Sequence, residues 1–206
     1  ETVTVRPGTW LENLKMTGRE IVLQGLDPDD DGTVSSTVID GGNMHPVITL
    51  HGTETEVSMI AGLTIQSGKE GVLGNGNFAH IQKNIITRNT VGLNECNGTI
   101  NENFIHYNHT GLIGCDGIIE RNIIERSYKK GLWKCDALIS KNKIRHNNEG
   151  GLHDCQGTIE GNLISDNRSH EGAGILQCNG LIRNNVIRDN FAYQGFREEG
   201  GHVETW

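Results

Sequence analysis

Between residues 79 and 190 the apolar positions stand as islands of one to three residues, separated by Asn, Gly and charged side chains. No apolar stripe at helical spacing runs ten residues, so helices are not expected there. The islands recur in step. Ile81, Ile100, Ile119, Ile139, Ile159 and Ile182 form one column, and Ile86, Ile105, Ile124, Ile144, Ile164 and Ile187 a second. Leu93, Leu112, Leu132, Leu152 and Ile175 form a third. Asn84, Asn103, Asn122, Asn142, Asn162 and Asn185 keep the same step, as do Asn89, Asn108, Ser127, Asn147, Asn167 and Asn190. Cys96, Cys115, Cys135, Cys155 and Cys178 follow at steps of 19, 20, 20 and 23.

A unit of this size cannot bury its own apolar face, so the copies must stack. The consensus I-x-x-N-x-I-x-x-N-x-x-G-L-x-x-C predicts three short strands joined by three bends. Asn and Gly tolerate the left-handed backbone that sharp bends need and are the expected bend residues. Each unit then makes one coil of a parallel β-helix, with coils at the ~4.8 Å spacing of paired strands. The predicted fold is all-β and single-domain over 1–206, a solenoid with Asn, Ile/Leu and Cys ladders. Residues 1–70 carry β-rich runs such as "TVTV", "REIVLQG" and "PVITL" without the strict repeat, and read as irregular coils. Residues 71–190 are the regular coils. Residues 191–206, with Phe196 and Trp206, read as a C-terminal cap over an open end of strand edges.

The stacked Asn amides are expected to bond along their column and to bend carbonyls. The cysteines are expected to be free thiols packed inward as small hydrophobes. Their odd number, and Cβ atoms held near the strand spacing, disfavour disulfides. Ligands in single file do not make a tetrahedral metal site.

The formal charge of −8 and the absence of a basic run argue against nucleic acid and anionic membrane surfaces as partners. No apolar run approaches the ~18–20 residues of a membrane span, so no membrane insertion is expected. The chain opens on "TVTVRPG" without a signal peptide, as a trimmed mature chain would, so the N-terminus does not reveal the compartment.

The stretch "VRPGTWLENLKMTGREIVLQGLDPDD", then "STVIDGG" and "VITLHGTETEVSMIAGLTIQSG", followed by "CNGTI" coils, resembles bacterial right-handed parallel β-helix repeat proteins of the pectin-lyase-like superfamily. The resemblance covers residue 3 to about residue 190. It implies a right-handed β-helix that is extracellular or at the bacterial cell surface. That superfamily includes polysaccharide lyases, glycoside hydrolases, epimerases and adhesins, and no complete lyase or hydrolase signature is found here. Fold alone does not choose among them.

Three places can carry chemistry. Asp27, Asp29 and Asp31 with Gly32 match the start of a calcium loop, although Val38 stands where a full loop has its bidentate Glu. The expected cofactor is therefore none, or calcium at these three aspartates; the plainer reading is an acidic solvated loop. Around the Cys column, stacking sets Asp116 over Asp136 and Trp133-Lys134 beside His153-Asp154. Trp133 and Tyr128 can stack on a sugar, with Lys130 on the approaching bend. Lys134 or His153 can act as base, and Asp116, Asp136 and Asp154 as acids. Beside the second Ile column, Arg126, Arg145 and His146 can neutralise an acidic sugar and take a proton. An ordinary exposed face with interleaved charges explains the same residues.

The leading expectation is a secreted or cell-surface β-helix that binds extracellular polysaccharide. The alternatives are a polysaccharide lyase or glycoside hydrolase, and a structural adhesin or filament subunit associating end to end. Three Trp and three Tyr limit sugar stacking, which favours binding or structure over processive degradation.

Overall fold

A computed structural model describes residues 1–193. It is an all-β solenoid of about ten turns. Its strands form three parallel sheets of nine, nine and eight strands, plus a small two-stranded pair. Equivalent residues of successive coils pair directly: Ile81 with Ile60 and Ile100, Ile86 with Ile65 and Ile105, Leu93 with Val72 and Leu112. Most strands of the first two sheets are three residues long, as in Ile85–Thr87, and their middle residue alone points inward. From Ile81 to Ile164 these Ile and Leu columns are fully buried, each residue worth ~1.5–3 kcal/mol of burial, whereas Ile182 and Ile187 of the last coil are 40% and 50% exposed.

The bends differ from the expectation in one respect. The left-handed backbone falls on the residue before each inward Asn or Cys. Lys83, Glu102, Arg121 and Lys141 take φ of 54–56° at the first bend. Arg88, Tyr107, Arg126 and His146 take φ of 51–56° at the second, and Glu95, Lys134 and Asp154 take φ of 53–55° at the third. A non-glycine residue in this region costs roughly 1–2 kcal/mol. The Asn that follows offsets it. Asn122 Nδ2 donates to Asn142 Oδ1 at 3.0 Å and to Ile100 O at 2.8 Å, and Asn122 N donates to the same Asn142 Oδ1 at 2.9 Å. Only an inward-turned amide reaches those partners, so the sharp turn is taken one residue earlier and that residue's side chain is thrown outward.

The Gly of each Gly-Leu pair has a separate reason. A Cβ on Gly131 would lie 2.7 Å from Gly151 O and 2.9 Å from Asn147 Nδ2. The coils approach too closely there for any side chain.

The early coils are uneven. Thr2 pairs with Val22, but Val22 pairs with Met59, a coil far longer than the next one from Met59 to His80. The extra length includes a helix, Asp31–Ser36, where none was expected. Asp30 is its N-cap and accepts from Thr33 N at 2.7 Å and Thr33 Oγ1 at 2.6 Å. Trp10 pairs with Ile39, and so belongs to the first described coil and ends the second Ile column, 47% exposed. The cap expected at 191–206 lies outside the described residues from 194 onward, including Phe196 and Trp206.

Candidate functional site

The outward-thrown residues of the second bend build the main surface feature. Arg88, Tyr107, Arg126, His146, Asp166 and Asp189 hold the same place in successive coils, all with φ of 51–56°. One residue beyond the inward Asn column stand Thr90, His109, Tyr128, Asn148 and Arg168. Two open hollows lie between these rows. One, of about 560 Å³, is lined by Arg88, Tyr107, His109 and Tyr128 among others. The other, of about 690 Å³, is lined by His146, Asp166, Arg168 and Asp189 with Phe191 and Tyr193. Tyr107 is 42% and Tyr128 64% exposed. The row is basic and aromatic at one end and acidic at the other.

The floor beside it is a charged cluster. Glu125 is buried, and its carboxylate accepts from Arg145 Nε at 2.6 Å and lies 3.7 Å from Arg126 Nε. Arg126 also donates to the Tyr107 hydroxyl at 2.6 Å and sits 5.4 Å from that ring's centroid. His106 pairs with Glu125 across the sheet, and its ring stacks on Phe104 at 4.0 Å. Burial pushes the His106 imidazole below its ordinary value against the pull of Glu125, with Arg126 and Arg88 lowering it further. It is therefore neutral at pH 7. Arg145, a candidate cation for an acidic sugar, pairs with Glu125.

Trp133 stands on the outer face of the third sheet between Ile113 and His153. It is half-buried, with Lys130 Nζ 5.3 Å and Lys134 Nζ 5.4 Å from its ring centroid. Lys130 also reaches Glu149 at 3.4 Å. His153 Nε2 lies 3.1 Å from Gln177 Oε1, and Asp154 accepts from Gln156 Nε2 at 2.9 Å. Tyr128, on the connection leading to this strand, lines the second-bend hollow.

Asp116 and Asp136 do stack, but as a hydrogen-bonding column. Asp116 Oδ1 accepts Asp136 N at 2.9 Å, and Asp136 Oδ1 accepts Gln156 N at 2.8 Å. Asn97 and Gln156 continue the pattern on either side. Each carboxylate thus serves a main-chain N–H of the next coil.

The three loop aspartates are not gathered into a ligand set. Asp27 accepts Asp29 N at 3.0 Å, Asp29 pairs with Lys83, and Asp31 begins the helix. Among the described residues no group of three His, Cys, Asp or Glu is arranged to hold a metal.

The five cysteines are free; Cys96, Cys115, Cys135 and Cys155 are buried and Cys178 half-buried. Burial pushes the Cys115 and Cys135 thiols well up. For Cys155 and Cys178 the thiol one coil earlier is the larger cause.

A family described as periplasmic copper-binding protein (NosD) matches residues 13–206. The chain belongs to the NosD family. No match was found among curated proteins or among solved structures. Among the described residues of this NosD-family chain no helix is long and apolar enough to cross a membrane.

Copper in the family's name can be tested against the donors present. Copper(II) favours planar nitrogen and oxygen sets, and no such convergence exists among the described residues. Copper(I) favours soft thiolates, and the stacked thiols are the donors of that kind.

The sequence pattern already held Arg126 and His146 in a strip beside the second Ile column. It missed His109, although its position one residue after Asn108 repeats in every coil. It also missed the burial of Glu125.

Proposed function

We propose that this NosD-family chain works outside the cytoplasm, as a periplasmic or cell-surface β-helix, and binds a polysaccharide along its second bend. The observation that carries the reading is Tyr107 and Tyr128 standing exposed in one open hollow beside Arg88. Exposed aromatic rings stack on sugar faces, and guanidinium and imidazole groups supply directed hydrogen bonds. The rows repeat at the coil spacing, which suits a ligand that is itself a repeating chain. Trp133 is a weaker platform, because it is half-buried while Tyr107 and Tyr128 are exposed.

The test is a glycan panel read by calorimetry, with Tyr107→Ala, Tyr128→Ala and Trp133→Ala compared. Binding that both tyrosine variants weaken while Trp133→Ala leaves it intact supports the groove. Loss through Trp133→Ala alone moves the site to the third sheet, and a panel without a binder removes the reading. Product assays on the same mixtures, for unsaturated sugars or new reducing ends, separate binding from lyase or hydrolase activity.

A further inference from the structure

We infer that the second bend holds an extended glycan at two aromatic subsites three coils apart, the second built from Phe191 and Tyr193. This rests on the glycan-binding reading of the groove, and adds to it a further subsite, a direction along the coil axis and a minimum ligand length.

Both subsites lie on one column. The backbone N–H groups of Tyr128, Asn148, Arg168 and Phe191 each donate to the carbonyl of the inward residue one coil earlier, at 2.8–3.1 Å. The four residues therefore follow one another along the axis, and Phe191 stands three coil steps beyond Tyr128. At the spacing of paired strands that distance is about 14 Å.

An insertion builds the second subsite. Asn147 to Asn167 is a step of 20 residues, whereas Leu152 to Ile175 is a step of 23. The extra residues fall between Asn167 and Ile175, in the second bend itself. Among the described residues this is where the bend forms a strand pair of its own, Arg168–Ser169 with Phe191–Ala192. The widened bend carries His170, whose ring meets Tyr193 edge-on at 4.4 Å. The Tyr193 ring lies 6.2 Å from that of Phe191, with the planes 24° apart. Phe191 is 61% and Tyr193 37% exposed. Two nearly parallel exposed rings, one braced by an imidazole, supply a stacking face beside the hollow that Arg168 and Asp189 line.

The stretch between the subsites is polar. His146, Asn148 and Arg168 are exposed there and can bond sugar hydroxyls. A glycan lying along the axis thus meets rings at both ends and hydrogen-bonding groups between them. Once one subsite is filled, the second contact is intramolecular, so affinity rises only for a ligand long enough to span both.

Chito-, cello- and galacturonate oligosaccharides, from disaccharide to octasaccharide, are titrated into the protein by calorimetry. Disaccharides should bind weakly, two per chain. Beyond the spanning length the stoichiometry should fall to one and the affinity should climb about a hundredfold. Phe191→Ala changes an exposed position, so the fold, checked by circular dichroism, is retained. It should lower long-chain affinity about three- to tenfold, the worth of one aromatic contact, and leave a single disaccharide site at Tyr128. Affinity that stays flat with length overturns the second subsite. So does long-chain binding that Tyr128→Ala weakens and Phe191→Ala leaves at full strength; the groove itself survives either result. Absence of binding in all three ladders removes the groove and the subsite together. If sedimentation shows that Phe191→Ala breaks up an oligomer while glycan binding is unchanged, the ring is a contact between copies and the subsite is overturned.

Discussion

Asn147 Oδ1 accepts the backbone N–H of Ser127 at 3.0 Å, but the Ser127 hydroxyl makes no hydrogen bond of its own. Elsewhere in this column an asparagine turns its oxygen to the coil before, as Asn108 Oδ1 does for Asn89 N at 3.0 Å. Ser127 is too short to do this for Asn108. Ser127→Asn should therefore close the gap and raise stability by about 1 kcal/mol. For a chain of this size that is a rise of about 2–4 °C in melting temperature. A lower melting temperature would show that the site has no room for the amide.

Asn142 lies mid-column in the first bend and takes part in five hydrogen bonds, with Asn122, Asn162 and Ile119. Asn142→Leu leaves the Asn122 N–H and the Ile119 carbonyl buried without partners. Each orphaned group costs about 1–3 kcal/mol, so a loss of about 3 kcal/mol or more is expected. Denaturant unfolding measures it, and a near-neutral result would mean that water replaces the amide.

Arg145 and Glu125 should respond unequally to substitution. Arg145→Ala strands a buried carboxylate with only the longer contact to Arg126. The expected cost is about 1–2 kcal/mol, below that of a fully buried pair because the Arg145 side chain is 40% exposed. Glu125→Gln leaves a partly solvated arginine and should cost less. Unfolding free energies of the two variants give the order, and a larger loss in Glu125→Gln would reverse the argument.

Glu54 links the early coils to pH. Burial pushes its carboxyl up, but the N–H groups of His51, Glu54, Gly52 and Gly18 together outweigh this and hold it below the ordinary value. A carboxylate depressed in the folded state adds stability above its unfolded pKa, and that stability is lost as pH falls through the folded value. The acid limb, below about pH 4.3, should therefore steepen through Glu54. Melting curves of Glu54→Gln should show lower stability at pH 7 and a flatter fall in acid. An acid limb identical to that of the unmodified protein would place the titration elsewhere.

The coil, its three strands and its inward Ile and Leu positions were legible without coordinates because the repeat is nearly constant. When every coil has the same length, a residue's neighbour is simply the one 19 or 20 positions away. That is why Asp116 over Asp136, Trp133 beside His153 and the inward cysteines can all be read from spacing. Spacing does not say which way a backbone turns. Whether Asn84 or Lys83 takes the left-handed conformation depends on hydrogen bonds that an inward amide makes to the next coil. Nor does it say how much charge is already used. Spacing left open whether Arg145 meets a substrate or a neighbouring charge, and the structure pairs it with Glu125; Asp136 likewise accepts the Gln156 N–H. Where the repeat breaks, in the long coil from Val22 to Met59, the rule fails altogether. Lys83 meets Asp29 there, and Asp30 caps a helix, because chain folding outside the regular step set those contacts.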